Sequence, residues 1–238
     1  MQRGQPSLAG NSTRRFGRCA MPLVPVEQPA SLSEIAYTQI RTSLLRGELA
    51  EQKSISVVAL SAQLQMSRSP VATAVVRLVN EGLLVQNPNG SAAVRTLDKD
   101  ELLDALQVRA TLEGLAAELA CPLLDDGTID ELDEIHSEFS RAVKAHDART
   151  ARIADLTFHQ SIQRASGSAV LDEHLSRLQA QVLLTTYTES WAVSGPPALV
   201  EHAAVLEALR NGRAADSARL ATEHVLAARS RVSRTWNK

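Results

Sequence analysis

Aromatic residues are scarce in this 238-residue chain: two Trp, two Tyr and three Phe make up 3% of it. A core with so few rings has to be built from Leu, Val, Ile and Ala, and with 44% hydrophobic content that favours packed helices. Cysteine is nearly absent too. Cys19 and Cys121 lie far apart, one in the tail and one in a helical pattern, so no disulfide framework is indicated and a reducing cytoplasm is the default expectation. No stretch approaches the roughly 18 apolar residues that cross a bilayer, so no membrane partner is expected. Arg14-Arg15-Phe16 faintly matches a twin-arginine export signal, but the stretch after it is short and broken by Pro22, Pro25 and Pro29.

Charge of one sign is also lacking overall, at a net −2, yet the balance is uneven along the chain. Residues 1–97 hold 10 Lys/Arg against 5 Asp/Glu, and the remainder holds 15 against 22. A basic first third fits contact with phosphates and the acidic remainder does not. Four of the early arginines (Arg3, Arg14, Arg15, Arg18) fall within residues 1–30, where Pro, Gly, Ser and Gln without apolar periodicity predict a disordered tail. Met21 is a second candidate start within it.

From Ser31 the pattern becomes regular. Ile35, Ile40, Leu44 and Leu45 predict an amphipathic helix ending near Gly47. Ser56 is placed to cap a short helix that turns Val57, Leu60 and Leu64 inward. After Gln65-Met66-Ser67, Ser69 is expected to cap a third helix with Pro70 at its first position. That helix buries Val71, Ala74, Val75 and Leu78, stops at Gly82, and leaves Arg68, Ala72, Thr73, Val76, Arg77 and Asn80 outside. Leu83–Gln86 and Ser91–Arg95 are strand candidates around Asn87-Pro88-Asn89-Gly90, whose Asn-Gly pair signals a hairpin. Three helices and a hairpin over residues 31–97 make a winged helix-turn-helix.

Residues 98–238 show only helical periodicity. Breaks near Pro122, Gly127, His146-Asp147, Ser166-Gly167, Gly195-Pro196-Pro197 and Asn211-Gly212 divide them into helices of about 98–120, 127–145, 147–165, 168–190, 197–210 and 213–232. The fold class is mainly α: a winged helix-turn-helix followed by an antiparallel all-α bundle.

Two places can carry chemistry. The second helix of a helix-turn-helix meets base edges through its N-terminal residues, here Ser67, Arg68, Ser69 and Thr73, with Arg77 further along and Gly90 at the wing tip free to approach a groove or phosphate. In the bundle, Asp155 and His159 at i and i+4 reach one point from one helical face. Alone the pair is weak, since a solvated face or an ion pair explains it as well. His202, in the stripe Leu199, His202, Leu206, Leu209, and His224, in the stripe Leu220, His224, Ala227, also face inward. Each histidine singly is satisfied by one hydrogen bond, but three with an aspartate call for a shared partner, because each unsatisfied buried polar group costs about 1–3 kcal/mol. Three imidazoles and a carboxylate suit Zn²⁺ first, and Ni²⁺, Mn²⁺ or Fe²⁺ where further ligands complete the shell. Arg109 sits on an inward stripe, where it can offer a fork to a small carboxylate or pair internally with Glu113. Glu201 and Glu223, each preceding a histidine, are expected to point away from the interior.

The run Ser67-Arg68-Ser69-Pro70-Val71-Ala72-Thr73-Ala74-Val75, then Glu81-Gly82-Leu83 and Asn87-Pro88-Asn89-Gly90, resembles the GntR family of bacterial transcription regulators over about Leu32 to Leu97. Arg109-x-x-x-Glu113, Asp155-Leu156-Thr157-Phe158-His159, Glu201-His202 and Glu223-His224 are similar to the FCD effector domain of its FadR-like branch, over about Lys99 to Arg229. The chain departs from the family at Ala72 and Val58, where the family commonly carries DNA-contacting arginines.

The resemblance implies a homodimeric regulator that binds a two-fold-symmetric DNA operator, by family habit as a repressor, and responds to a small carboxylate effector at a metal held by Asp155, His159, His202 and His224. Two rivals stand beside it: a metal-dependent helical enzyme with a vestigial helix-turn-helix, and a regulator whose metal is purely structural. With Glu201 and Glu223 facing outward, no general base is evident for catalysis, so no enzyme activity is expected.

Overall fold

The computed structural model describes Met1 and residues 31–49, 52, 54–186 and 191–236; the tail reading for residues 2–30 lies outside them. Helix α1 (Leu32–Leu45) opens at Ser31, whose hydroxyl accepts from the Glu34 amide at 3.2 Å. Its inward stripe is Ala36, Ile40 and Leu44, an i, i+4, i+8 row flanked by Leu45, which leaves Ile35 about a quarter-turn off and exposed, against expectation. Helix α2 (Val57–Leu64) starts at the Ser56 cap and buries Leu60, with Val57 and Leu64 partly buried.

Helix α3 (Arg68–Asn80) begins two residues earlier than Ser69 and Pro70 suggest, with Ser67 at the cap position. Pro70 sits comfortably in the first turn, where backbone N–H groups have no intrahelical acceptor. Val71, Ala74, Val75 and Leu78 form its buried face as expected. Strands β1 (Leu84–Gln86) and β2 (Ala92–Val94) pair antiparallel, Val85 opposite Ala93. Ile55 bridges Ala92 through two backbone hydrogen bonds of 2.7 and 2.9 Å, so the wing is tied to the segment before α2.

The bundle consists of α4 (Lys99–Ala120), α5 (Asp126–Lys144), α6 (Ala148–Ala165), α7 (Ala169–Thr185), α8 (Trp191–Arg210) and α9 (Ala214–Thr235), with a 3-10 turn at Cys121–Leu123. Polar caps start four of them: Asp98 with Glu101 as a reciprocal capping box, Asp125, Asp147 and Ser168. The expected break at Gly195-Pro196-Pro197 does not occur, because α8 runs through it. Both prolines lie in its second turn, so the donors they remove are missed only by carbonyls at the very start of the helix.

Helix α4 is the spine, packed along α9 and against α6 and α7. Gly114 permits its close approach to α9: a Cβ there would meet the Thr222 hydroxyl and lie 3.0 Å from the Ala218 carbonyl. Helix α7 has two duties. Ala180, Leu183 and Leu184 complete the same core as Ile40, Leu44 and Leu78 of the winged helix, each leucine contributing about 1.5–3 kcal/mol of burial. Arg177 and Gln181 donate to the Glu81 carbonyl at 3.1 Å, and Arg177 also to that of Asn80, so α7 grips the C-terminal end of α3.

Candidate DNA-reading face and metal centre

The outer face of α3 carries Arg68, Ser69, Thr73, Val76 and Arg77 in the open and Ala72 half-buried, with Ser67 exposed at its N-terminus. Arg77 is exposed but engaged: it pairs with Glu34 at 2.7 Å and Glu81 at 3.1 Å, and its guanidinium lies 3.6 Å over the Tyr37 ring. A phosphate would have to displace two carboxylates to use it. Thr73 donates its hydroxyl to the Ser69 carbonyl at 3.2 Å. Gly90 takes φ +81 at the wing tip with nothing within 4 Å of where a Cβ would sit.

In the bundle, Asp155 and His159 on α6, His202 on α8 and His224 on α9 offer one ligand atom each, all within 4.8 Å of one another. The Nε2 atoms of His202 and His224 are 3.3 Å apart, His202 Nε2 lies 3.5 Å from Asp155 Oδ1, and His159 Nε2 lies 3.9 Å from the same oxygen. A tetrahedron drawn at the ~2.0–2.1 Å Zn–N distance has edges of about 3.3–3.4 Å, so a small inward movement would close the set around one ion. A space of about 10 Å³ lies against His159, His202 and His224.

The surrounding carboxylates decide where the ring protons sit. His159 Nδ1 lies 2.7 Å from Glu113 Oε2, and His224 Nδ1 lies 2.8 Å from Glu201 Oε2. Each carboxylate accepts from Nδ1–H and leaves an Nε2 lone pair aimed at the centre, the outer-sphere arrangement that fixes metal-ligating imidazoles. Buried His159 Nε2 has no hydrogen-bond partner among the described residues. With Asp155 an acceptor only, the cluster gathers more lone pairs than donors, which suits a cation.

Electrostatics agree. Burial, aided by the neighbouring imidazoles, pushes His202 well below its ordinary pKa, and burial lowers His224 against the opposing hydrogen bond to Glu201. Both rings are therefore neutral, as metal ligands must be. Burial alone would raise Glu113, but Arg109 and His159 outweigh it and hold the carboxylate far below its usual range. Glu201 is lowered to about 2, burial being overcome by hydrogen bonds from His224 and Arg231.

Glu201 corrects the sequence expectation. It faces the α8–α9 seam, where it accepts from His224 and twice from Arg231, whereas Glu223 points outward to Arg219 as expected. Arg109 is buried and donates Nε to Glu113, and it also lines a cavity of about 270 Å³ shared with Asp155, Gln179, His224 and Arg231. Gln179 went unremarked in the sequence. It interrupts the stripe Leu175, Gln179, Leu183 and donates to Glu113 at 3.1 Å, while its own oxygen is buried without a partner among the described residues.

A winged helix joined to an all-helical bundle with this buried cluster defines the class: a DNA-binding transcriptional regulator. Residues 32–94 match the family described as bacterial regulatory proteins, gntR family, and residues 104–227 match the FCD domain. The chain belongs to the GntR family of regulators with an FCD domain. It is 27% identical over 187 residues, 77% of this chain and 81% of the relative, to a probable D-xylose utilization operon transcriptional repressor of Paenarthrobacter nicotinovorans. An Nta operon transcriptional regulator of Aminobacter aminovorans is 40% identical over 75 residues, 32% of this chain and 36% of that one. Among solved structures, E. coli McbR/YncC shares the fold at a TM-score of 0.79 and 22% identity, covering 88% of this chain and 100% of that one. These families and relatives are transcriptional regulators, not enzymes. Among the described residues no helix is long and apolar enough to cross a membrane.

Proposed function

We propose that the protein is a cytoplasmic homodimeric repressor whose bundle binds a divalent metal, Zn²⁺ first and Ni²⁺, Mn²⁺ or Fe²⁺ as alternatives, together with a small carboxylate that changes operator affinity. Residues 31–97 serve as the DNA-binding domain, with Ser67, Arg68, Ser69 and Thr73 at base edges and phosphates, Gly90 at the wing and Arg77 as a bracing side chain. Residues 98–238 serve as the effector and dimerisation domain. The observation that carries the reading is the convergence of three imidazoles and Asp155 beside a cavity that Asp155 and His224 also line.

Asp155, His159, His202 and His224 would hold the ion, which would supply positive charge for a carboxylate at the cavity floor. Arg109 orients that carboxylate with its fork. Gln179 and Leu183 line the cavity from α7, the helix that grips the end of α3, so an occupant that prefers one α7 position biases the DNA-binding half. A coupling of about 1–3 kcal/mol is expected. Repression follows the printed name of the Paenarthrobacter relative. Dimerisation is supported by exposed Val108, Leu115 and Leu119, one stripe along α4.

The test is metal analysis of the purified dimer and of His202→Ala and His224→Ala, followed by fluorescence anisotropy on the upstream intergenic DNA with candidate carboxylates. Loss of metal in both variants, with carboxylate-dependent release in the parent and none in Arg109→Ala, is the expected result. Metal whose chelation lowers the melting temperature while no carboxylate alters DNA binding would make it structural.

A further inference from the structure

The groove-facing surface of α3 is unusually apolar. Val76 is 56% exposed and Val58, at the start of α2, is 52% exposed. Ala72 lies one turn before Val76. The Thr73 hydroxyl gives its proton to the Ser69 carbonyl, which leaves its oxygen as an acceptor and its γ-methyl open to a partner. Arg77 is held by Glu34, Glu81 and the Tyr37 ring. Hydrogen-bonding side chains thus gather at the N-terminal end, in Ser67, Arg68 and Ser69, while the middle of the helix presents methyl groups.

Single exposed valines mean little. These methyls, however, follow directly on the N-terminal residues through which a reading helix meets base edges in the major groove. The apolar feature that unmodified DNA offers there is the C5-methyl of thymine. We propose that Ala72, Thr73 and Val76 are specificity determinants that read thymine methyl groups, with Arg68 supplying the polar base contact, an inference that rests on α3 being the helix that enters the groove. Ala72 and Val76 are separated by about 6 Å along the helix, four residues at ~1.5 Å each. At ~3.4 Å per base step this spans about two base pairs. The half-site therefore carries two thymines about two positions apart, and recognition there depends on the methyls rather than on the hydrogen-bonding edge.

Deoxyuridine tests this directly, because it keeps every hydrogen-bonding group of thymine and removes only the methyl. The full-length protein is used to select binding sites from a random duplex library, and the enriched site is remade with uracil replacing thymine one position at a time. Anisotropy is then measured against parent and Val76→Ala proteins at fixed salt. We expect two thymines per half-site whose replacement weakens binding about three- to fivefold each, the size of one buried methyl contact. Val76→Ala should abolish the penalty at one of the two and keep it at the other. An enriched site in which no uracil replacement matters, or a site without thymine under α3, overturns methyl reading while leaving DNA recognition intact. Failure to enrich any sequence overturns both.

Discussion

Glu113 on α4 and His159 on α6 meet at 2.7 Å, Oε2 to Nδ1, and the other oxygen of the same carboxylate accepts from Arg109 and Gln179. One buried side chain thereby orients a ligand-type imidazole, holds the arginine beside the cavity and positions an α7 residue. Glu113→Gln should lower metal affinity about 10–100-fold, the usual cost of losing an outer-sphere partner. It should also destabilise the fold by about 3–5 kcal/mol because Arg109 stays buried without its counter-charge. Competition with a chromophoric chelator and urea unfolding check the two parts. Unchanged metal affinity would separate Glu113 from the metal centre.

Asp125 and Asp147 cap α5 and α6 in the same way, each accepting from a threonine amide and hydroxyl three residues on. Those hydrogen bonds lower both carboxyl pKa values in the folded chain. A depressed folded pKa means stabilisation that is present above the unfolded value, about 3.9 for Asp, and lost as pH falls through the folded value. Replacing both by Asn, which still caps but does not titrate, should flatten the acid limb of the stability curve. Urea midpoints collected from neutral to acid pH read this out, and an unaltered acid limb would count against it.

Gln65 closes α2 in the left-handed region, at φ 53 and ψ 39. A side chain there is strained by about 1–2 kcal/mol. Gln65→Gly should therefore stabilise the protein by about 1 kcal/mol after allowing for the looser unfolded chain. Denaturant unfolding that shows a loss instead would mean the Gln65 side chain earns its place elsewhere.

Gly114→Ala should do the reverse. The new methyl meets the Thr222 hydroxyl and the Ala218 carbonyl, so α4 and α9 must part, at a cost of about 1–3 kcal/mol. Thr222→Ala in the same chain should recover part of the loss, because only the carbonyl contact remains. Thermal melts of the single and double variants compare the two.

Helix count, the winged-helix order and the convergence of Asp155, His159, His202 and His224 were legible from local patterns: Asp155 and His159 share a face by spacing, and His202 and His224 replace core residues in apolar stripes. What was not legible came from packing between distant segments. The Ile55–Ala92 bridge joins residues that no local pattern relates. Glu201 reads as surface on α8 alone, and it is α9, bringing Arg231 and His224 alongside, that makes it an acceptor for both. The prolines of α8 misled for a different reason: they read as a helix break, yet the helix runs through them with only two hydrogen bonds of its opening turns lost.

Leu183 belongs at once to the cavity wall and to the core that holds Ile40, Leu44 and Leu78. The DNA-binding half consequently has no complete interior of its own, and its melting cannot be independent of the bundle's. Calorimetry of the intact chain should record one cooperative transition. A tightly bound occupant of the cavity raises the melting point of the entire unit, the operator-reading surface included.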